Sequence, residues 1–326
     1  MNVLSLYDGI SCGMVALERA GILVEKYSAY EIDKYALSVS EKNYPEIEQY
    51  GDVFEGNFKK HKGCDLLIGG SPCTYWSIAQ KNREITPDGE GFKLFMQYIK
   101  ALEESCPKYF LYENNNSIHQ NIKSKISEFL GVEPIMINSA LVSAQQRKRC
   151  YWTNIPNITQ PKDKGIFLKD VIISDISCQN KSQESLAQYN HIMPAILQRG
   201  HGFTKSGTKY DKSPTVTASV SFPFNNLVAQ PVRIGTIGNG GQAERIYSVH
   251  GKSVTLSANG GGGGAKTGLY KIDLPDGDYI IRKLMPIEAE RLQTLPDNYT
   301  SGISDTQRYK CIGNGWTVDV IAHIFK

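Results

Sequence analysis

Short apolar runs alternate with amphipathic stretches through the first 155 residues of the chain. Residues 2–7 form an unbroken apolar-rich run that predicts a buried strand. In 13–20 the apolar Val15, Leu17 and Ala20 repeat at helical spacing and Gly21 stops the pattern, which predicts a helix. The same reasoning predicts strands over 24–32, 64–68, 109–113, 133–138 and 150–155, and helices over 34–43, 92–104 and 122–130, with Pro45 and Pro107 as breakers. A further strand is expected to end at Gly51-Asp52-Val53. Such alternation predicts βαβ units and a mostly parallel sheet.

The texture changes near 170–180. From there to about 280 the chain is rich in Gly, Ser, Thr and Asn, with short β-type runs. Lys212-Ser213-Pro214-Thr215-Val216-Thr217 resembles Lys252-Ser253-Val254-Thr255-Leu256-Ser257, a weak repeat of two units. The glycines of 260–264 offer no side chains to pack and predict a mobile loop. Helical patterns return at 286–295 and 318–325, the second after Gly313-Asn314-Gly315, read as a tight turn. The expected division is a first domain over 1–172, completed by 300–326, and a second, smaller loop-rich β-containing domain over 173–299, with a hinge at 282–299.

Composition narrows the class. At 326 residues with 40% hydrophobic content, the chain can bury a large core. No apolar run is long enough to span a membrane, and the first nine residues read as a strand rather than a signal peptide. Seven cysteines, scattered singly, predict reduced thiols in a cytoplasm rather than disulfides or a metal site. Charge is uneven. Residues 179–272 hold ten basic residues (Lys252 and Arg245 among them) against three acidic ones, within a chain whose net charge is only +3. A basic module beside a mildly acidic one suggests a polyanionic partner.

Candidate chemistry sits at predicted strand ends. Leu66-Leu67-Ile68-Gly69-Gly70-Ser71-Pro72-Cys73 places a cysteine on a tight loop after a strand, where a nucleophile belongs in an open α/β sheet. Tyr7-Asp8-Gly9-Ile10-Ser11-Cys12-Gly13 joins the first strand to the first helix. Its glycines allow a ligand to approach, but it lacks the full dinucleotide pattern. Glu31 can hold a ribose and Asp52 can accept from an adenine amino group, which suits an adenosine cofactor without a pyrophosphate, such as S-adenosylmethionine. The other six cysteines read as small buried hydrophobes.

These blocks, in this order, resemble the DNA (cytosine-5) methyltransferase family of bacterial and phage type. The resemblance rests on the 8–13 loop, Tyr30-Glu31-Ile32-Asp33, Gly51-Asp52-Val53, Gly70-Ser71-Pro72-Cys73, Tyr112-Glu113-Asn114, Gln145-Gln146-Arg147-Lys148-Arg149, Arg291-Leu292-Gln293-Thr294-Leu295-Pro296 and Gly313-Asn314. It implies a Rossmann-like S-adenosylmethionine-dependent methyltransferase sheet with a target-recognition domain where the basic module lies. Cys73 would be the nucleophile toward cytosine C6. Glu113 would hydrogen-bond N3 and the exocyclic amine and deliver a proton, so its pocket has to favour the neutral acid by desolvation. Arg149 would grip O2, and Arg147 would contact a phosphate or support the pocket. Tyr7, Asp8, Gly9, Ile10, Gly13, Glu31, Ile32, Asp52, Val53, Gly70, Pro72 and Asn314 would hold the cofactor.

Duplex DNA would meet Ser77, Gln80, Lys81 and Arg83 on a closing loop, and Thr215, Arg245, Thr255 and Asn259 in the recognition module. Thr215-Val216 and Thr255-Leu256 both fit the family's Thr-led dipeptide. The resemblance implies a monomer and leaves open a cognate restriction endonuclease acting on the same site. The same chemistry on RNA, and a catalytically silent DNA-binding protein, are the alternatives. This chain departs from the family in Asn115 after Glu113-Asn114, in Ile10-Ser11-Cys12 where glycine is common, and in Tyr7 where Phe is common.

Overall fold

The computed structural model describes residues 1–77, 82–173, 229–237, 240–258, 267–273 and 279–326. The predicted unit at 212–217, the glycines of 260–264, Cys178 and the candidates Gln80, Lys81, Thr215 and Asn259 lie outside the described residues.

Seven strands build the central sheet: β1 (Asn2–Leu6), β2 (Lys26–Tyr30), β3 (Glu48–Gln49), β4 (Leu66–Gly69), β5 (Tyr109–Asn115), β6 (Ile135–Asn138) and β7 (Lys148–Thr153), in the order β3-β2-β1-β4-β5-β7-β6. From β3 to β5 the pairing is parallel, as expected. The end of the sheet differs from expectation: β7 inserts antiparallel between β5 and β6. Apolar content marks both segments as strands but carries no direction, so the reversal was not readable from the sequence. It matters because the residues that open β7 arrive at the edge where the parallel strands end.

The sheet is buried on both faces, which explains the unbroken apolar runs. Leu66 and Ile68 join one core cluster and Leu67 the other, the two-residue period of a strand. Helices α1 (Cys12–Arg19) and α2 (Lys34–Asn43) contribute to the first cluster. Helices α3 (Glu90–Ser105) and α4 (Gln120–Leu130) contribute to the second. Cys106 is not the buried thiol expected: it caps α3 in the left-handed region (φ 47°) and is exposed. β3 ends before Gly51, so Asp52 caps a single 3-10 turn instead of closing a strand.

A second sheet comprises β8 (Arg233–Thr236), β9 (Arg245–Ser248), β10 (Leu269–Asp273) and β11 (Tyr279–Arg282), in the order β11-β10-β9-β8. Its core continues into α5 (Pro286–Leu292) and into Ile312 of α6 (Asp305–Asn314). The helix α6 was not foreseen. Its polar sequence hides the period, and Gly313 and Asn314 are its last residues, not a turn. The final helix, α7 (Val318–Ile324), buries Val318, Val320 and Ile321 in the cluster that holds Val15 and Leu17 of α1.

Lys252, counted with the basic module, does not face solvent. It is 1% exposed, and its ammonium donates to the carbonyls of Ala140 (2.8 Å), Ser143 (3.0 Å) and Ile166 (2.5 Å). It pins the segment that carries Thr255 and Leu256 to the β6–β7 connection.

Candidate active site

The loop after β4 is stapled to β5. The hydroxyls of Ser71 and Tyr112 are 2.6 Å apart, and Asn114 Nδ2 donates to the Ser71 carbonyl at 3.0 Å. Cys73 then opens a one-turn 3-10 helix as a half-buried free thiol, with Pro72 exposed beside it. Gly70 allows this closeness. A Cβ there would meet the Glu113 carbonyl oxygen at 2.8 Å and its Oε2 at 3.1 Å.

Glu113 and Arg149 meet because of register. Glu113 pairs with Tyr151 across β5 and β7, and Arg149 lies two residues from Tyr151, on the same face of the sheet. Arg149 Nε sits 2.9 Å from Glu113 Oε1, with both side chains nearly buried. Trp316 Nε1 donates to Oε2 at 3.0 Å. Sequence reasoning missed Trp316. Only its position just after Gly313-Asn314-Gly315 hinted at a role.

Arg147 is 3% exposed and donates to the carbonyls of Leu256 (3.2 Å), Gly313 (3.0 Å) and Gly315 (3.0 Å). Burial, and then the charge of Arg149, push its pKa down. A guanidinium enclosed in this way braces three chain segments around the site and has no face left for a phosphate. Gln293, also fully buried, ties in the same turn through Ile312 and Gly315.

A second cluster lies at the ends of β1, β2 and β3. Tyr7, Gly9 and Ser11 all take the left-handed conformation (φ 58°, 62° and 57°), two of them at the cost a side chain imposes there. Asp8 holds the turn by accepting from the hydroxyls of Ser5, Ser11 and Tyr27 at 2.6–2.7 Å. Ile10 is buried, its carbonyl taken by Tyr299 at 2.7 Å. Gly13 lets α1 settle on the sheet: a Cβ would come 2.4 Å from Ile68 Cδ1.

Glu31 accepts from the backbone N–H of Gly9, Ile32 and Asp33, each at 2.8 Å. Burial raises its pKa, against the pull of those three donors. Asp52 accepts from Phe54 N at 2.9 Å. Val53 is buried in the core, so only its backbone is open to a ligand, whereas Ile32 (71% exposed) and Phe54 (50% exposed) stand uncovered. An open cleft of about 460 Å³ runs from Phe54 past Pro87 and Gly89 to Phe92 and Met96. Asn314 is exposed at the end of α6.

Beyond Ser77 the chain returns at Asn82. Arg83 donates to the Ser117 carbonyl at 2.8 Å, and Glu84 accepts from Trp76 Nε1 at 2.9 Å and from Gly91 N. Arg245, which opens β9, donates to Gln242 at 2.7 Å, and exposed Thr255, between β9 and β10, donates to the Gln146 carbonyl at 2.6 Å.

The model of the C-5 cytosine-specific DNA methylase family matches residues 1–326. The chain belongs to that family. Its fold is the Rossmann-like methyltransferase sheet, and the chain is a DNA (cytosine-5) methyltransferase. Type II methyltransferase M.HhaI of Haemophilus parahaemolyticus is 30% identical, over 99% of this chain and 93% of its own length. Orphan methyltransferase M.SPRI of Bacillus phage SPR is 26% identical, over 100% of this chain and 97% of its own. Among solved structures, the Entamoeba histolytica methyltransferase EhMeth superposes with a TM-score of 0.66 at 15% identity. It covers 100% of this chain and 96% of that one, a likeness of fold. Among the described residues no helix is long and apolar enough to cross a membrane.

Proposed function

We propose that this methyltransferase transfers a methyl group from S-adenosylmethionine to C5 of a cytosine turned out of a specific duplex DNA sequence, through a covalent bond between Cys73 and C6. The observation that carries the reading is the meeting of Gly70–Cys73, Glu113 and Arg149 at one sheet edge, where the antiparallel β7 brings its first residues beside the ends of β4 and β5. The division into 1–172 with 300–326, and 173–299, belongs to the same proposal, as does a monomeric state.

The cluster at the ends of β1–β3 fits the cofactor. A nucleoside needs a carboxylate for its hydroxyls, an acceptor for its amino group and apolar faces. Glu31, Asp52, Ile32 and Phe54 supply these, and Phe54 also lines the cleft of about 460 Å³. Tyr7, Asp8, Gly9, Ile10 and Gly13 would shape its other wall, with the Val53 backbone, Gly70, Pro72 and Asn314 completing it. When bound, the cofactor supplies an electrophilic methyl group on sulfur.

The chain's residues prepare the base. The Cys73 thiolate forms a bond to C6, the C5–C6 π electrons shift into the ring, and Glu113 delivers a proton to N3. C5 thereby becomes nucleophilic. After C5 carries the methyl group, water or hydroxide takes the C5 proton, N3 returns its proton to Glu113, the C5–C6 double bond re-forms and the Cys73 thiolate leaves. Arg149 holds Glu113 and can share the O2 side of the base. Turning the base out costs a few kcal/mol. Ser77 and Arg83, with Arg245 of β9 and Thr255 of the segment after it, are the described residues that would meet DNA and offset it. Gln80, Lys81, Thr215 and Asn259 are the proposed partners beyond the described residues.

The test is a duplex carrying 5-fluorocytosine at the methylated site, with a tRNA as the competing substrate. A mass-detected adduct on the Cys73 peptide, formed with the duplex, is the expected result. No adduct overturns the covalent route, and an adduct formed only with tRNA overturns the DNA assignment.

A further inference from the structure

Three tryptophans are present, and each indole N–H has a different partner. Trp76 donates to Glu84 at 2.9 Å, Trp152 to the Ser127 hydroxyl at 3.0 Å, and Trp316 to Glu113 Oε2 at 3.0 Å. The first two hold packing elements. The third touches the carboxylate on which the proposed proton delivery depends.

Trp316 is also placed between the two clusters. A Cβ on Gly70 would lie 3.5 Å from its Nε1, and a Cβ on Gly13 would lie 3.7 Å from the far edge of the same indole. The ring thus spans from the turn that opens α1 to the loop that carries Cys73. Its backbone is fixed from behind: Gly315 O accepts from Arg147 and Gln293, and Thr317 Oγ1 bonds Ser139 and Gln293. Among the described residues each oxygen of Glu113 therefore has one donor, Arg149 Nε on Oε1 and Trp316 Nε1 on Oε2. Two donors from different elements fix the plane of a carboxylate as a single ion pair cannot. An indole N–H does not titrate, so it holds that geometry through a change in the carboxyl's protonation.

We propose that Trp316 is a positioning residue for Glu113: its indole N–H orients the carboxyl toward the base, while its ring forms the wall shared by the cofactor and base pockets. This rests on the proposed role of Glu113.

The experiment uses full-length wild type, Trp316→Phe, Glu113→Gln and the double variant, with kcat and KM of methyl transfer to duplex DNA measured for each. The phenylalanine keeps a ring and removes the N–H. The expected result is a kcat lowered about 10- to 100-fold, the worth of a hydrogen bond to a charged group. The KM for duplex DNA should stay near the wild-type value, and Trp316→Phe should cost little when added to Glu113→Gln. An unchanged kcat, or an equal cost with and without Glu113, overturns the proposal. Should Trp316→Phe fail to fold, the indole N–H resonances of ¹⁵N-labelled wild type and Glu113→Gln decide. One resonance of the three must shift, and it must not belong to Trp76 or Trp152. Failure of the underlying reading looks different: there Glu113→Gln itself keeps wild-type turnover.

Discussion

Gly70 and Glu113 are packed so closely that no side chain fits between them: a Cβ on Gly70 would sit 2.8 Å from the Glu113 carbonyl oxygen. The neighbouring atom is backbone of a central strand, which cannot yield. Gly70→Ala is therefore expected to displace the Cys73 loop and not Glu113, lowering kcat by roughly 100-fold. Single-turnover methyl transfer, with cofactor binding measured separately, checks this. A fully active alanine variant would show that the loop has slack the structure denies it.

Cys73→Ala and Glu113→Gln should fail differently. Without the thiol, methyl transfer is abolished while DNA binding persists. With Gln at 113, turnover drops by roughly 10²–10⁴, the usual worth of an acid–base group. Gel-shift binding and transfer assays on the same preparations separate the two, and turnover by Cys73→Ala removes the nucleophile.

Glu31 makes cofactor binding pH-dependent. Burial raises its pKa above the ordinary value of 4.5. Ribose hydroxyls donate best to the ionised carboxylate, so affinity should decline as pH falls through that raised pKa, beginning at higher pH than for an exposed glutamate. The stability term has the opposite sign. A raised folded-state pKa contributes stability that is present below 4.5 and lost as pH rises through the folded value. Calorimetric titration of the cofactor across pH should show the decline in wild type and a flat, weaker profile in Glu31→Gln. Equal slopes would remove Glu31 from the site.

Lys252 is expected to hold the protein together, not to hold DNA. Its ammonium satisfies three buried carbonyls, and Lys252→Ala leaves all three unpaired. The expected loss is about 3 kcal/mol or more, read as a lower urea midpoint. The salt dependence of DNA affinity should keep its slope, since no phosphate contact is removed. A shallower slope would return Lys252 to the basic surface.

Much of this was legible in the sequence for specific reasons. The strands β1, β4 and β5 are buried on both faces, so their runs are rich in apolar residues. The Gly69–Cys73 loop announced itself because a tight turn after such a strand needs glycine. Pattern failed at α6, whose face toward the rest of the molecule is small while most of its residues are polar. It failed again at Lys252, where charge counting assumes solvent.

The amino-acid sequence by itself determined most strands and helices of the first 155 residues, which residue types could do chemistry, and the order of blocks that marks the family. Those properties are local: periodicity, turn residues and side-chain chemistry act within a few positions. Tertiary structure alone decided that β7 runs backwards, that Arg149 therefore reaches Glu113, and that Trp316, some two hundred residues later, donates to the same carboxylate. Hydrogen-bond partners so far apart along a chain are chosen by register and packing, which exist only once the sheet has closed.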